Sequence, residues 1–149
     1  MSEHRYWIGV VSRDHVEAAV AHGFVQLGHG RAGPLERLRP GDGFAFYSPR
    51  ESYPAGPPLQ AFTAIGRVAQ GPIYESGSAG AGDGPTFRRN VTYLDATPAP
   101  IKPLLERLTF IRSKQHWGAA LRFGLVRVPR EDFAAIASAM GRDPEADFA

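Results

Sequence analysis

Short apolar runs, each closed by glycine or proline, recur throughout this chain and limit the folds that it can adopt. Runs of this kind, rich in branched and aromatic residues, are typical of β-strands, and the turn residues between them mark where strands end. The pattern predicts strands over Tyr6–Val11, Phe24–Leu27, Phe44–Ser48, an extended run from Leu59 to Tyr74, Phe87–Tyr93 and Leu125–Val128.

Helical patterns fall between or after these runs. Ser12 precedes a periodic segment over Arg13–His22 that stops at Gly23, and a second segment runs over Arg130–Met140. Residues 142–149 are expected to form a frayed tail. No long repeat or linker divides residues 1–149, so we predict a single α+β domain. Its curved mixed β-sheet has about six strands, closes towards a small barrel and carries short peripheral helices.

Composition excludes several kinds of chemistry. The 149 residues include no cysteine, which rules out disulfides and thiolate zinc sites and suits a cytoplasmic protein. The N-terminal residues lack the apolar core of a signal peptide or membrane span. The histidines lack metal-ligand spacing, and we expect no metal, no cofactor and no catalytic residues. The glycine-rich stretch over residues 75–85 lacks a phosphate-loop signature, so we predict a hairpin tip there.

Charge is unevenly distributed along the chain. The net charge is only +2, but the segment from Thr86 to Arg130 holds nine Lys or Arg residues against two acids, Asp95 and Glu106. A local basic stripe is the electrostatic pattern expected for a surface that binds a phosphate backbone. A solvated surface of scattered arginines is the alternative.

Several polar residues are interspersed with glycines at the end of the second predicted strand, in the stretch QLGHGR at residues 26–31. The glycines allow a ligand to approach the backbone closely, and Gln26 offers both a donor and an acceptor to a base edge. Aromatic side chains, which stack on bases, alternate with arginines elsewhere in the chain. The pattern indicates a nucleobase pocket. Alternatively, Gly28 and Gly30 only turn the chain and His29 caps the turn.

Taken in order, several blocks of the sequence resemble the EVE domain proteins of the PUA-like superfamily. The resemblance extends from about Tyr6 to Phe133 and is carried by YWIGVVSRDHV, GFVQLGHGRAGPLERLRPGDGFAFYSP, FTAIGRV, FRRNV, PLLERLTFI and HWGAALRFGLVRV. It implies a PUA-like barrel related to YTH, ASCH and SRA domains. It also implies binding of a modified, in particular a methylated, base that is flipped out of DNA or presented on RNA.

The resemblance also implies roles for individual residues. It places Trp7 and Trp117 as opposing pocket walls, polar groups on the rim, and Tyr47 and Ser48 on the floor. The ligand-binding set that it suggests is Trp7, Gln26, Gly28, His29, Gly30, Arg31, Tyr47, Ser48, Phe62 and Trp117. The residues expected to contact the nucleic-acid backbone are Arg50, Arg88, Arg89, Lys114 and Arg122.

Two other functions stay open at this point. Some ASCH relatives are small amidohydrolases acting on modified nucleosides, and that chemistry would need a basic lysine or a carboxylate in the pocket. Lys102 and Lys114 are the only lysines, and neither lies in a block expected to form the pocket. A protein-interaction module would instead use the same aromatic residues to bind a partner. We therefore favour base binding, with the membrane excluded as a partner and the oligomeric state undetermined.

Overall fold

The structure, a computed structural model, describes residues 4–78 and 85–148, with the side chains of residues 77 and 78 left out. The strands are β1 (Tyr6–Val10), β2 (Phe24–Val25), β3 (Gly43–Arg50), β4 (Pro58–Val68), β5 (Tyr74–Ser78), β6 (Pro85–Tyr93), β7 (Ala99–Pro100) and β8 (Leu125–Val128). The α-helices are α1 (Arg13–His22), α2 (Ala32–Glu36), α3 (Arg130–Ala139) and α4 (Pro144–Phe148). Gly28–Gly30, Lys102–Arg107 and Trp117–Leu121 form 3₁₀ turns.

The strands form a mixed sheet whose main path runs β2-β6-β4-β3-β1-β8. β5 pairs with β6, and β7 pairs with β4. β1 and β3 are parallel, whereas β1 pairs antiparallel with β8 and β3 pairs antiparallel with β4. The prediction of a curved mixed sheet of about six strands with short peripheral helices is confirmed, the six strands being those of the main path. The tip predicted between β5 and β6 lies largely in residues 79–84, outside the described residues.

The two faces of the sheet bury two separate hydrophobic clusters. Successive side chains of a strand point to opposite faces, so Phe44 and Phe46 of β3 lie on one face, and Ala45 and Tyr47 lie on the other. The first cluster also contains Val16 and Ala19 of α1. The second contains Phe133, Ile136 and Ala137 of α3. In the described ranges, no helix is both long and apolar enough to cross a bilayer.

Helix α1 begins and ends where the sequence predicts. Ser12 has an extended backbone at the N-terminal boundary, with φ −66° and ψ 156°. Gly23 ends the helix in the left-handed conformation, with φ 72°, and its N–H donates to the carbonyl of Ala19. The stop at Gly23 directs the chain straight into β2, which starts at the next residue.

The C-terminal segment is ordered, contrary to the expectation that residues 142–149 fray. Residues Pro144–Phe148 form α4, and the ring of Phe148 is 3% exposed. Arg142 Nε donates to Asp147 Oδ2 at 2.9 Å, and Tyr6 Oη donates to the carbonyl of Phe148 at 3.2 Å. The buried phenylalanine and these polar contacts hold the segment against the start of β1. The sequence analysis did not identify Phe148 as the residue that packs this segment against the core.

Candidate functional site

A cavity of about 390 Å³ opens where β1 ends, beside the chain that follows β2. Its size falls within the range of small-molecule sites, about 300–1,000 Å³. Apolar and polar groups share its wall. The lining residues are Val10, Val11, Ser12, His15, Gln26, Leu27, Gly28, His29, Tyr53, Arg122 and Gly124.

Three consecutive residues with positive φ shape one side of this cavity. Gly28, His29 and Gly30 have φ values of 54°, 59° and 86°. A Cβ added at Gly30 would lie 2.6 Å from Thr86 Cγ2, so glycine there lets the turn pack directly on β6. His29 adopts the left-handed conformation without being glycine, which is uncommon and costs about 1 kcal/mol or more. The turn thereby presents an exposed imidazole at the cavity mouth.

Tyr53 supplies an aromatic ring next to His29 at the cavity. It is 75% exposed, and its ring meets the ring of His29 edge-on at a centroid distance of 6.3 Å. Several hydrogen bonds hold its loop. Arg50 Nη1 donates to the carbonyl of Gly56 at 3.0 Å, and the N–H of Asp14 donates to the carbonyl of Glu51 at 3.0 Å. A largely exposed tyrosine on a tethered loop has a free ring face for a ligand.

His15 contributes a buried ring nitrogen to the cavity wall. Its Nε2 is buried and has no hydrogen-bond partner among the described residues. Burial lowers the pKa of His15 from its usual 6.5, and the charge of Arg88 adds to this shift; the Asp14 carboxylate and a hydrogen bond with the Gln26 backbone oppose it. The imidazole is therefore neutral at pH 7. Buried polar atoms are nearly always hydrogen-bonded, so an unbonded nitrogen in a cavity wall is a candidate ligand contact.

Gln26 lies on the cavity wall, and its side chain is hydrogen-bonded to Arg88 of β6. Arg88 Nε donates to Gln26 Oε1 at 3.0 Å. The Arg88 guanidinium in turn lies over the ring of Phe24, 3.9 Å from its centroid. Gln26 is half-buried, and Phe24 is buried. Among the residues that the structure describes, Arg88 is thus the hydrogen-bond partner of the Gln26 amide.

The turn before β8 brings a cation to the cavity. Arg122 is exposed and lines the opening, and Gly124, with φ 77°, completes the turn. The N–H of Val10 donates to the carbonyl of Gly124 at 2.8 Å, which ties this turn to the end of β1. Phe123 between them is 81% exposed and does not line the cavity.

The structure brings together four of the residues predicted from the sequence. Gln26, Gly28, His29 and Arg122 all line the cavity. Gly30 lies next to them, but it is buried against β6. The side chain of Arg31 is exposed and does not line the cavity.

The predicted pair of opposing tryptophans is not present. Trp7 is 2% exposed and packs in the cluster with Phe44 and Phe46, and its Nε1 donates to Asp42 Oδ2 at 2.9 Å. Trp117 packs against the cluster on the other face of the sheet, with its ring 6.5 Å from that of Tyr47. Strand alternation separates the two indoles, because Trp7 pairs with Phe44 and Tyr47 points to the opposite face.

Tyr47 and Ser48, predicted as a pocket floor, and Phe62, predicted as a ligand-binding residue, lie in the protein core. Tyr47 and Phe62 pack edge-on at 5.5 Å within the second cluster, and burial raises the pKa of Tyr47 to about 12. The hydroxyl of buried Ser48 is hydrogen-bonded to that of Thr63 at 2.8 Å. Tyr47 and Ser48 lie on β3 and Phe62 lies on β4, and side chains from both strands are buried in the core. None of them lines the cavity.

The cations predicted to contact a nucleic-acid backbone have different surroundings. Arg50 supports the Tyr53 loop, and Arg88 contacts Gln26. Lys114 Nζ donates to the carbonyls of Leu108 and Ile111 at 2.9 and 2.8 Å, so it closes a turn of the chain. Arg89 is 9% exposed, and its buried Nε has no hydrogen-bond partner within the described residues. Arg122 is the member of the set that reaches the cavity.

Sequence reasoning missed three polar lining residues, namely Ser12, His15 and Tyr53. Ser12 was assigned only to helix capping, and His15 falls in the first turn of α1. Tyr53 lies in the loop over residues 49–58, which has no usable resemblance to the EVE domain sequences. A tyrosine in a loop of prolines, glycine and charged residues was the available signal, because loops on a rigid scaffold often carry binding residues.

Comparison with known proteins identifies the family. The family model described as EVE domain matches residues 5–139. The chain belongs to the EVE domain family. It is 48% identical over 134 residues to a UPF0310 protein of Mycolicibacterium vanbaalenii, with 90% of this chain and 91% of the relative covered. It is 50% identical over 137 residues to a UPF0310 protein of Mesorhizobium japonicum, with 91% of each covered.

Solved structures share the fold of this EVE domain at low sequence identity. The crystal structure of a protein from Agrobacterium tumefaciens matches with a TM-score of 0.54 and 13% identity, covering 93% of this chain and 94% of that one. A hypothetical protein from Leishmania major matches with a TM-score of 0.56 and 15% identity, covering 90% and 92%. These likenesses concern the fold alone.

Proposed function

We propose that this EVE domain is a nucleic-acid-binding module that takes a modified base, in particular a methylated one, into the cavity beside Gly28–His29. The observation that carries the proposal is the mixed character of this cavity. It has a free tyrosine at its mouth, polar side chains on its wall and an arginine at its rim. A base reader needs a stacking surface, edge contacts and a phosphate contact, and these groups can supply all three.

The aromatic and apolar groups suit a methylated ring. Tyr53 and His29 stand at the mouth, where a planar base can stack on the tyrosine. Val10, Val11 and Leu27 form an apolar part of the wall that can receive a methyl group. Stacking on an aromatic side chain contributes about 1–3 kcal/mol per base, which offsets the few kcal/mol needed to unstack the base from a duplex.

Charge supports a phosphodiester partner. Arg122 lies at the cavity opening and belongs to the segment from Thr86 to Arg130, which holds nine basic residues and two acids. A base seated in the cavity would leave its phosphates near this rim. We therefore expect the oligonucleotide to bind more tightly than the free nucleoside, with the difference diminishing as salt is added.

Binding fits this cavity better than turnover. An ASCH-like amidohydrolase would need a lysine or a carboxylate at the ligand, and the lining residues that the structure describes include neither. Lys114 is bonded to backbone carbonyls, and Lys102 is exposed in the 3₁₀ turn over Lys102–Arg107. His15 and His29 contribute the two imidazoles of the wall. The Asp14 carboxylate beside His15 accepts hydrogen bonds from the Ser12 hydroxyl and the His15 backbone N–H and does not line the cavity, so both imidazoles serve as hydrogen-bonding groups in this proposal.

Calorimetric titration with cytidine, 5-methylcytidine, adenosine and N6-methyladenosine tests the proposal. A methylated nucleoside should bind more tightly than its parent, and Tyr53→Ala should weaken that binding by about 1–3 kcal/mol. Val20→Ala is the control, because Val20 is an exposed apolar residue of α1, 41% exposed, and lies outside the cavity lining. Equal losses in both variants, or no binding by the wild-type protein at millimolar nucleoside, would refute the proposal and favour a protein partner.

A further inference from the structure

The contact between Arg88 and Gln26 determines how the amide can be oriented. Arg88 Nε lies 3.0 Å from Gln26 Oε1. A guanidinium has donors and no acceptor, so the atom that faces it must be the amide oxygen. The amide nitrogen, which carries two N–H donors, is then directed away from Arg88.

Arg88 itself is held in place by its surroundings. Its guanidinium lies 3.9 Å from the ring centroid of Phe24, and the Phe24 ring is only 4% exposed. β2 and β6 pair antiparallel through Phe24 with Asn90 and Val25 with Arg89. Continuing this register places residue 26 opposite residue 88, so the strand pairing itself sets the two side chains side by side.

We propose that Arg88 fixes the Gln26 amide with its N–H donors facing the cavity, so that the site selects a base edge with a hydrogen-bond acceptor. This inference rests on the proposed function and specifies the ligand edge. Suitable acceptors are a carbonyl oxygen or an unprotonated ring nitrogen, such as O2 or N3 of cytosine or N1 of adenine. Arg88 is then a positioning residue, acting on the ligand through Gln26 and having no contact with it.

Position 26 offers an isosteric test. Gln26→Glu keeps the shape of the side chain and a partner for Arg88, but it replaces the donor nitrogen with an acceptor oxygen. Two acceptors would then face one another, and we expect affinity for 5-methylcytidine or N6-methyladenosine, whichever the wild-type protein binds more tightly, to fall about 10- to 100-fold. The folded state should persist, since the contact with Arg88 becomes an ion pair. A thermal melt of each variant checks this.

Coupling between the two positions separates positioning from a merely structural role. Arg88→Met should weaken nucleoside binding about 3- to 10-fold, because the amide becomes free to rotate. The same change in a Gln26→Met background should have little further effect, since no amide remains to be positioned. Arg107→Met is the control: Arg107 is exposed, carries the same charge and does not line the cavity.

The experiment has distinct adverse outcomes. If Gln26→Glu binds the nucleoside as tightly as the wild-type protein, the donor role is overturned. If Arg88→Met leaves nucleoside binding intact but weakens binding of a methylated oligonucleotide and lowers its salt dependence, Arg88 contacts phosphate and its positioning role is overturned. Failure of the wild-type protein to bind any nucleoside would refute the proposed function itself, before either variant is compared.

Discussion

Replacing Trp7 with phenylalanine should lower the stability of the protein and leave ligand binding unchanged. The indole is buried with its Nε1–H bonded to Asp42 Oδ2 at 2.9 Å, and Trp7 does not line the cavity. Asp42 is 2% exposed and also accepts the N–H groups of Arg5 and Arg39, each at 3.0 Å. The carboxylate therefore joins the start of β1 to the turn that precedes β3.

The expected size of the effect follows from these contacts. A hydrogen bond to a charged group contributes about 1.5–3 kcal/mol, and the smaller ring leaves some volume unfilled, so the total loss is about 2–4 kcal/mol. In a protein of this size, each kcal/mol lowers the Tm by about 2–4 °C, which gives a decrease of roughly 4–16 °C. Asp42→Ala should cost more, about 3–5 kcal/mol, because three donors then lose their acceptor.

Urea unfolding followed by circular dichroism measures these losses, and Trp117→Phe provides the comparison. Trp117 is half-buried, and its indole N–H has no hydrogen-bond partner in the part of the chain that the structure describes, so the loss should be about 1 kcal/mol or less. A double-mutant cycle between positions 7 and 42 should show coupling of about 1 kcal/mol or more. If Trp7→Phe melts like the wild-type protein but loses nucleoside affinity, Trp7 is a ligand contact and our placement of it is wrong.

Three further changes probe other features. Gly30→Ala should lower the free energy of unfolding in urea by about 2–4 kcal/mol, since φ is +86° and the new Cβ would meet Thr86. Gly118→Ala is the control and should be nearly neutral, because a Cβ there would have nothing within 4 Å; equal losses in the two variants would contradict this. Phe148→Ala should lower the free energy of unfolding by about 3–5 kcal/mol, because the ring is buried. Glu145→Ala, at an exposed position of the same helix, should have almost no effect. An unchanged Tm for Phe148→Ala would mean that α4 does not pack against the core. The lowered pKa of His15 means that the unfolded chain binds more protons below pH 6.5, so stability should fall as the pH falls from 6.5 towards the folded pKa. His15→Gln should reduce that slope in unfolding curves measured at successive pH values, and an unaltered slope would assign it to other groups.

Local patterns were enough to predict most elements of this fold. β8 matches the predicted range over Leu125–Val128, and α1 matches over Arg13–His22, because an apolar period bounded by turn or cap residues is a local signal. The long run predicted from Leu59 instead divides at Val68 into β4 and β5. Gly71 and Pro72 interrupt the run, and this break is not visible in the pattern of apolar residues alone.

The site could be predicted only in part, since it depends on contacts between distant segments. Gln26, Gly28 and His29 were found because they are adjacent in the sequence. The loop that carries Tyr53 is hydrogen-bonded to α1, which is distant in the sequence, and no local pattern reports such a contact. Trp7 was misassigned because its buried acceptor, Asp42, lies 35 residues away. An indole with polar sequence neighbours therefore does not indicate a binding surface.

The docking of α4 brings the two ends of the described chain to one place. The side chain of Tyr6, at the start of β1, contacts the backbone of Phe148, whereas the cavity lies at Val10 and Val11, where β1 ends. At about 3.3 Å per residue, the length of β1 separates these two points by roughly 13 Å. A linker joining residue 148 to residue 4 in a circular permutant, or insertion of residues 4–148 into a loop of a host protein, would therefore place the junction at the end of β1 far from the cavity.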